Sequence, residues 1–424
     1  MHTKFEHMSV AYTALNNLDS SNGGRKGNDA SHHLMRDWRR QLRTPPTYRL
    51  GNRTFRIHYH VALLCICFGA LILVFLFLKH DSQSSYSNKR KWYVQYEQTT
   101  KKESEYNYTY PLTAAVINNG VQTYRIGMIA DLDKASEDPQ KGNVWRSYLK
   151  MGYLSYNPSL NTVEVSFNDN ENPTEYSGSY SLKGRGMELS ELVTFNGRML
   201  TFDDRTGLVF ELKDKKALPW ILLMDGQGNT GKGFKSEWAT VKDEVLYVGS
   251  MGKEWTTSAG DFESFDPMYV KAITISGEVH HLNWIENYQS LRRALGIEWP
   301  GYLLHESATW SPINRKWYFL PRRCSKERYN ETKDELMGCN KLISADENFH
   351  KIETVQLGPY KPTFGFSSFK FIPGSNDNVI VAILSEEFNG KTATHLTVFT
   401  IDGKTLLGPI KIKTDYKYEG IEFF

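Results

Sequence analysis

The sequence predicts an all-β protein, a five-bladed β-propeller preceded by a single transmembrane helix. Aromatic residues make up 13% of the 424-residue chain, and aromatic side chains suit the pleated, half-buried surface of a β-sheet. From about position 120 onward, short runs of alternating apolar and polar residues are separated by turn sequences such as Asn196-Gly197. One long apolar run lies before this region, and no comparable run occurs within it.

A recurring unit predicts the blades. Each copy has an oxygen-bearing residue, an alternating strand, a turn and a second strand. The copies begin at Glu191, Glu237, Glu306, Ser368 and Glu419. Their spacing of 46 to 69 residues is typical of propeller blades, with insertions in two of them. A β-sandwich is the alternative fold, but it does not account for the repeated oxygen-bearing residue.

The last copy contains a single strand, so its blade needs strands from the start of the domain. The segments 124–130 and 162–167 have the required alternating pattern. Pairing them with the last strand would close the ring and remove an exposed sheet edge. One other stretch has helical spacing, from Trp284 to Leu295 with Gly296 after it, and predicts one surface helix.

The apolar run at 61–78 predicts the membrane-spanning segment. Its eighteen residues contain no charge, and as a helix they would rise about 27 Å, close to the hydrocarbon thickness of a bilayer. We therefore divide the chain into a disordered cytoplasmic tail (1–59), a transmembrane signal anchor (60–79), a stem (80–119) and the propeller (120–424). A buried core helix is the alternative, but it would need polar residues on one side.

The flanking sequence orients this anchor. Five arginines between positions 40 and 56 precede it, which favours a cytoplasmic N-terminus. Glycosylation sequons at Asn107 and Asn330 follow it. The sequence thus predicts a single-pass type II membrane protein of the ER or Golgi with a lumenal domain. The cell surface, or secretion after cleavage, is the alternative location.

Charge is distributed unevenly along the chain. Residues 1–60 contain ten Lys and Arg against four Asp and Glu, whereas the whole chain has a formal charge of +3. The remainder is therefore slightly acidic and lacks the basic face that a nucleic-acid partner requires. We expect no nucleic acid among the partners.

Two of the four cysteines, Cys324 and Cys339, lie in the exported region. An even pair in an oxidising compartment predicts a disulfide, with two unpaired thiols as the alternative. Cys65 and Cys67 lie inside the anchor, as small apolar residues or palmitoylation targets.

The repeated oxygen-bearing residues predict a metal site. The innermost strands of a propeller surround its axis, so equivalent positions point at one place. These positions are Glu191 (or Ser190, one position earlier), Glu237, Glu306, Ser368 and Glu419. Converging carboxylates repel one another unless a cation lies between them or some are protonated. An all-oxygen donor set suits Ca²⁺. The alternative is that these acids are solvated loop residues.

Further polar residues at strand ends are candidates for catalysis. They are Asp131 and Asp133 after a strand, Asp203 and Asp204 in a turn, and Arg322 and Arg323 at the end of a strand. Arginine forks bind phosphates, and a carboxylate beside a metal site can act as a general base. Any one of them alone is equally consistent with a solvated turn or surface residue.

One motif is a chance match. The segment from Gly226 to Lys232 fits the P-loop pattern G-x-x-x-x-G-K, but Gly233 occupies the position of the magnesium-binding Ser or Thr. No βαβ pattern surrounds it, so we reject a P-loop.

The chain resembles the calcium-activated nucleotidase (apyrase) family. The matching segments include IADLDK, GRGMELSELV, DGQGNTGKGFKSEW, PGYLLHESATW, FLPRR, GFSSFKFIP and YEGIEF, which span nearly all of 120–424. The resemblance implies a five-bladed propeller with one central Ca²⁺. It implies metal ligands at Ser190, Glu191, Glu237, Glu306, Ser368 and Glu419.

The same resemblance implies hydrolysis of nucleoside diphosphates, and in some cases triphosphates, to the monophosphate and inorganic phosphate. Asp131 or Asp133 and Asp203 or Asp204 would handle the phosphates, with Arg322 and Arg323 nearby. Partners would be these nucleotides and the membrane, with a homodimer left open. A non-catalytic, calcium-stabilised propeller that binds a partner and a propeller glycosidase are the alternative functions.

Overall fold

The computed structural model describes residues 47–50, 53–56, 67–70, 72, 106–168 and 171–424. It contains two compact units, Met1–Ser104 and Glu105–Phe424. In the first unit, β1 (Thr47–Leu50) pairs antiparallel with β2 (Arg53–Arg56), and residues 67–70 are helical. Most of the predicted tail, anchor and stem lies outside the described residues. Within the described part, no helix is long and apolar enough to cross a membrane.

The second unit is built almost entirely of antiparallel strands. It begins with β3 (Val116–Asn118), β4 (Val121–Asp131), β5 (Trp145–Asn157), β6 (Thr162–Phe167) and β7 (Thr174–Gly178). Blade 1 contains β8 (Leu189–Phe195), β9 (Arg198–Asp203), β10 (Leu208–Lys213) and β11 (Lys216–Leu222). Blade 2 contains β12 (Trp238–Lys242), β13 (Val245–Gly249), β16 (Tyr269–Ile273) and β17 (Val279–Asn283), with a ribbon of β14 (Trp255–Thr256) and β15 (Phe262–Ser264) inserted.

The remaining strands complete the ring. Blade 3 contains β18 (Tyr302–Ser311), β19 (Lys316–Ser325), β20 (Lys341–Asp346) and β21 (Ile352–Gln356). Blade 4 contains β22 (Phe364–Phe371), β23 (Val379–Phe388), β24 (Lys391–Thr400) and β25 (Thr405–Lys411). Blade 5 combines β26 (Lys417–Phe423) with β4, β5 and β6, and β3 and β7 pair with its strands. The described residues therefore form a five-bladed propeller, and the predicted all-β architecture is confirmed.

The ring closes as the sequence predicts. Strand β26 pairs with β4, from Lys417 opposite Asp131 to Phe423 opposite Ile126, and β4 in turn pairs with β5. The first strands of successive blades, β8, β12, β18, β22 and β26, contact one another in a closed circle. These inner strands surround the axis.

Apolar side chains fill the spaces between neighbouring blades. One buried cluster contains Ile126 of blade 5 and Val381 of blade 4, and another contains Phe202 of blade 1 and Val248 of blade 2. Burial of each such side chain stabilises the fold by about 1.5–3 kcal/mol. The core is thus divided among the blade interfaces, and the axis is left to polar residues.

Short helices occupy the connections. Helix α1 (Ile285–Ala294) follows blade 2, buries Tyr288 and Leu291, and is followed by Gly296 at φ +65°. Because positive φ suits glycine, Gly296 ends the helix where the sequence predicts. Helix α2 (Glu331–Asp334) lies between β19 and β20, and 3₁₀ turns occupy Asp133–Ser136 and Asp266–Met268.

The compact propeller unit begins before position 120. The backbone N–H of Asn107 donates to Asn196 Oδ1 at 2.6 Å, and the Tyr110 hydroxyl donates to Glu422 at 2.9 Å. Residues 106–119, which the sequence assigns to the stem, thus belong to the unit that starts at Glu105.

The predicted disulfide is confirmed. Cys324 and Cys339 are bonded, and they join the end of β19 to the residue that precedes Asn340 and β20.

Candidate active site

The inner strands are irregular at the predicted metal ligands. Register shifts fall at Leu189/Glu191 in β8, between His305 and Ala308 in β18, at Phe366/Ser368 in β22 and at Tyr418/Gly420 in β26. A bulge inserts an extra residue and redirects side chains out of the regular pleat. Four of the five repeated positions therefore lie at an irregularity, and the fifth, Glu237, lies before a regular strand.

Glycine allows two of these strands to approach closely. A Cβ at position 420 would lie 2.7 Å from the Cα of Glu191. Any side chain at Gly420 would push β26 away from β8, and Glu419 with it.

Glu237 lies directly before β12 and is bound by a lysine. Lys235 Nζ lies 2.6 Å from Glu237 Oε1 and also contacts Asp204 Oδ2. Burial raises the pKa of Glu237 well above its usual range, with the charges of Glu306 and Glu419 adding to the effect and Lys235 opposing it. Carboxylates from three blades thus interact electrostatically.

Arg322 binds two of the same carboxylates. Its Nη1 contacts Glu306 and lies 3.2 Å from Glu419 Oε1, and its Nη2 contacts Glu387. The side chain is only 6% exposed. Arg322 therefore acts as a fixed counter-charge among the acids.

Lys417 binds the other side of the acidic group. Its Nζ lies 3.1 Å from Asp131 Oδ2, 2.9 Å from Asp133 Oδ2, and 3.2 Å from both Glu387 Oε1 and Glu419 Oε1. Burial raises the pKa of Asp131 to about 8, and the charge of Glu419 contributes although Lys417 opposes it.

The predicted ligands Glu191, Ser368 and Ser190 have a different set of partners. Glu191 Oε1 accepts a hydrogen bond from Ser368 Oγ at 2.8 Å and lies 3.1 Å from Lys370 Nζ. Burial raises the pKa of Glu191 to about 7, with Lys370 opposing. Ser190 Oγ donates to the carbonyl of Ser236 at 2.5 Å, one residue before Glu237.

The two turn aspartates differ in what they bind. Asp203 Oδ1 accepts the backbone N–H groups of Arg205 and Thr206, and its Oδ2 accepts that of Met187. Burial raises the pKa of Asp203 to about 6 despite these hydrogen bonds. Asp203 therefore shapes the turn, whereas Asp204 joins the group of Lys235 and Glu237.

The donor set fits a hard cation. Among the described residues, Glu191 Oε2 and Asp204 Oδ1 are buried without a hydrogen-bond partner. Asp131, Asp133 and Glu188 also place one carboxylate oxygen each within 4.8 Å of one another. Carboxylate oxygens are ligands suited to Ca²⁺. In the three-acid group, Asp131 and Glu188 also have N–H partners, in Lys417 and Arg185.

A cavity of about 420 Å³ opens beside these acids. It is lined by Asp133, Leu304, Glu306, Arg322, Arg323, Asp334, Glu335, Glu387, Gly390, Lys391 and Thr392. This volume is in the range of small-molecule sites. Five carboxylates face three basic groups, so the lining is negative overall.

Arg323 differs from Arg322 because some of its N–H groups have no hydrogen-bond partner in the described chain. It is 2% exposed, and its Nε lies 3.6 Å from Asp334 Oδ2, beyond hydrogen-bond distance. Within the described parts of the chain, neither Nε nor Nη1 has a hydrogen-bond partner. Arg323 is thus the arginine of the cavity with N–H groups left for an anion.

The basic residues among the acids were not predicted from the sequence. Lys235 and Lys417 each lie two positions before a predicted ligand, and Lys370 lies two positions after Ser368. Residues two apart share one face of a strand. The repeated Lys-x-Glu pattern at 235–237 and 417–419 could have identified two of them.

The P-loop-like segment is a connection between blades. Its ends pair through the bridge between Met224 and Gly233, and Lys232 lies 3.2 Å from the centre of the Trp255 ring. The segment leads into β12 and is not followed by a helix, so its rejection as a P-loop agrees with the fold.

Comparison with known proteins identifies the family. The model of the family described as Apyrase matches residues 132–424. The chain belongs to the apyrase family. As a member of the apyrase family, the protein is a nucleotide-hydrolysing enzyme.

The apyrase relatives cover most of this chain. Soluble calcium-activated nucleotidase 1 of Rattus norvegicus is 46% identical over 373 residues, which is 87% of this chain and 90% of the rat protein. The apyrase of Cimex lectularius is 48% identical over 322 residues, covering 76% and 88%. Apyrase apy-1 of Caenorhabditis elegans is 43% identical over 332 residues, covering 78% and 92%.

Proposed function

We propose that this apyrase hydrolyses nucleoside diphosphates (UDP, GDP and ADP, and also triphosphates) to the monophosphate and inorganic phosphate, and that it requires Ca²⁺. One observation carries the proposal. Glu306 and Glu419, from blades 3 and 5, both contact Arg322 beside a cavity that contains Arg323, and Glu237 of blade 2 is buried against Lys235. The rat relative is named a calcium-activated nucleotidase, which supports the same assignment.

The residues that would hold the cation are Ser190, Glu191, Glu237, Glu306, Ser368 and Glu419. When bound, Ca²⁺ would neutralise phosphate charge in the site. The surplus of acids lining the cavity is a further reason to expect a cation requirement, because a nucleotide is itself an anion.

Arg323 would bind the phosphates. Its unpaired Nε and Nη1 groups can donate to phosphate oxygens. Arg322 would contribute indirectly, since its N–H groups already bind Glu306, Glu387 and Glu419. In this assignment Arg322 positions the carboxylates and Arg323 positions the substrate.

Hydrolysis would proceed by direct attack of water on the terminal phosphorus. The water oxygen bonds to phosphorus, the bridging P–O bond breaks, and the nucleoside monophosphate leaves from a diphosphate. A triphosphate would first give the diphosphate, which is hydrolysed in a second round. Asp131 and Asp204 are the candidate proton acceptors. Asp131 is nine-tenths buried beside Lys417, and Asp204 has one oxygen without a hydrogen-bond partner in the described chain.

Phosphate release from ADP, UDP and GDP tests the proposal, measured with Ca²⁺, with Mg²⁺ and with a chelator. We expect release with Ca²⁺ and loss of release in chelator. No release in Ca²⁺ would rule out the nucleotidase. Full release in chelator would rule out the cation requirement and leave only nucleotide hydrolysis.

The proposal includes a lumenal location, with residues 60–79 as a signal anchor in the ER or Golgi. The apolar run at 61–78 and the Cys324–Cys339 disulfide support an exported domain. Asn107 and Asn330 are both exposed, as glycosylation requires. Protease protection of the domain in sealed microsomes, together with a mobility shift on glycan removal, is the expected result. Digestion without detergent would refute it.

A further inference from the structure

The segment between the disulfide-bonded cysteines, residues 325–338, lies against the cavity; we call it the cavity loop. It begins two residues after Arg323, and two of its residues, Asp334 and Glu335, line the cavity. No residue from 326 to 337 is buried, although all of them are described. The loop therefore has no core of its own and depends on attachments at specific points.

One attachment is at the base of the loop. The disulfide joins Cys324 to Cys339, and the backbone N–H of Cys324 donates to Met337 O at 2.9 Å. Arg323 forms a backbone bridge with Gly338. The base of the loop is thus bonded directly to the backbone of Arg323, the proposed phosphate-binding arginine.

The hydroxyls of Tyr302 and Tyr360 also bind the loop, through Asp334 and the carbonyl of Leu336.

A further attachment crosses the cavity from blade 3 to blade 4. Glu335 Oε2 accepts the backbone N–H of Asn389 at 3.1 Å. Asn389 lies in the turn between β23 and β24, and the next three residues, Gly390, Lys391 and Thr392, line the cavity. This solvent-exposed hydrogen bond, which we call the latch, joins the two walls at the rim of the cavity.

We propose that the cavity loop, held by the disulfide at its base and by the latch from Glu335 to Asn389, is a wall of the nucleotide site that determines substrate affinity. The inference rests on the proposed function. If either attachment is lost, the loop must be ordered when nucleotide binds, and apparent affinity falls by the fraction of molecules with the wall in place.

Two substitutions of Glu335 separate the effect of the latch hydrogen bond from the effect of the carboxylate charge. Glu335→Gln removes the charge and keeps an oxygen that can accept from Asn389. Glu335→Ala removes both. Loss of charge alone should not weaken binding of an anionic nucleotide to an acidic cavity. Glu335→Ala should therefore raise KM for ADP about tenfold relative to Glu335→Gln, the size expected for one hydrogen bond, with kcat within about twofold.

The full-length chain in detergent with Ca²⁺ is used for every variant, and KM, kcat and the Kd for ADP by calorimetry are measured. The double variant Cys324→Ser/Cys339→Ser should raise KM similarly, and Glu335→Ala should add little to it because the loop is already loose. Lys333→Ala is the matched control, since Lys333 is in the same loop but is 66% exposed and outside the cavity lining.

Equal KM values for Glu335→Ala and Glu335→Gln, or an unchanged KM in the double cysteine variant, would overturn the proposal. A wild-type protein that binds ADP without releasing phosphate refutes the proposed function, and the Kd values still decide the role of the loop. Absence of ADP binding to the wild-type chain refutes both. Thermal unfolding of each variant shows that the changes are measured on folded protein.

Discussion

The axial acids and the cavity loop form two sides of one site and are built in opposite ways. Glu237, Glu306 and Glu419 stand on or beside inner strands whose neighbours are buried, and Lys235, Arg322 and Lys417 bind them. The cavity loop has a disulfide, a latch and no buried residue between 326 and 337. Charges that lie close together need a rigid frame, whereas a substrate wall needs only to be held at a few points. Substitutions in the two regions should therefore affect different quantities.

The largest effect on activity is expected from substitution of an acid on the propeller axis. Glu306→Gln should lower Ca²⁺ affinity and phosphate release together, each by at least about tenfold, because it removes a charged oxygen from the ligand set. Calcium titration and the release assay measure the two. Glu353→Gln, half-exposed on the outer strand β21 of the same blade, is the control. Lower activity with unchanged metal affinity would show that Glu306 is not a ligand.

Loss of a basic partner should lower the free energy of unfolding. Lys417→Met leaves Asp131 without its buried counter-charge, and leaves Glu387 and Glu419 with Arg322 alone. This should cost about 3–5 kcal/mol in chelator. Denaturant unfolding with and without Ca²⁺ measures this. Ca²⁺ should restore part of the loss, because it supplies positive charge to the same acids. A Lys351→Met control, at a side chain 72% exposed, should have little effect. Equal stability of Lys417→Met and wild type in chelator would contradict the charge argument.

The acids also predict how stability depends on pH. Burial raises the pKa of Glu191 to about 7, so between pH 5 and 7 the metal-free folded state holds a proton that the unfolded chain has lost. Stability in chelator should therefore fall as pH rises from about 5 to 8, by roughly 3 kcal/mol for this group. With saturating Ca²⁺ the slope should vanish, and Ca²⁺ affinity should rise with pH because binding releases protons. Increasing stability in chelator over this range would contradict the raised pKa.

The smallest effect is expected at an exposed tether of the cavity loop. Arg328 pairs with Asp261 at 2.8 Å, and both side chains are more than half exposed. Such a pair contributes about 0–1 kcal/mol, so Arg328→Ala should leave both the unfolding midpoint and KM near wild type. A KM change as large as that of Glu335→Ala would show that the Arg328–Asp261 pair is itself an essential attachment of the loop.

Repetition explains what the sequence could predict. Five similar units predict the five blades, and Glu306, Ser368 and Glu419 were predicted as ligands from their place in those units. The closure of β26 onto β4 followed from a last unit with one strand. Features without repetition were harder to predict. The position of Asp334 and Glu335 against the cavity depends on how a loop is attached, and no periodicity encodes this.

Other differences have local physical causes. Asp203 and Asp204 are adjacent and equivalent in sequence, yet the turn directs one to backbone N–H groups and the other to Lys235. The sequence assigns residues 106–119 to the stem together with the charged segment before them, but Tyr106 packs against Phe195 and the Tyr110 hydroxyl donates to Glu422. Both outcomes depend on the direction of individual side chains, which composition does not determine.

The pairing of β26 with β4 also has a consequence for how the protein is made. It joins residues from opposite ends of the propeller domain, and contacts so distant in sequence form slowly. Until they form, β4 has one unpaired edge, which can recruit strands from other molecules. The folding intermediate most prone to aggregation is therefore an open ring of otherwise finished blades.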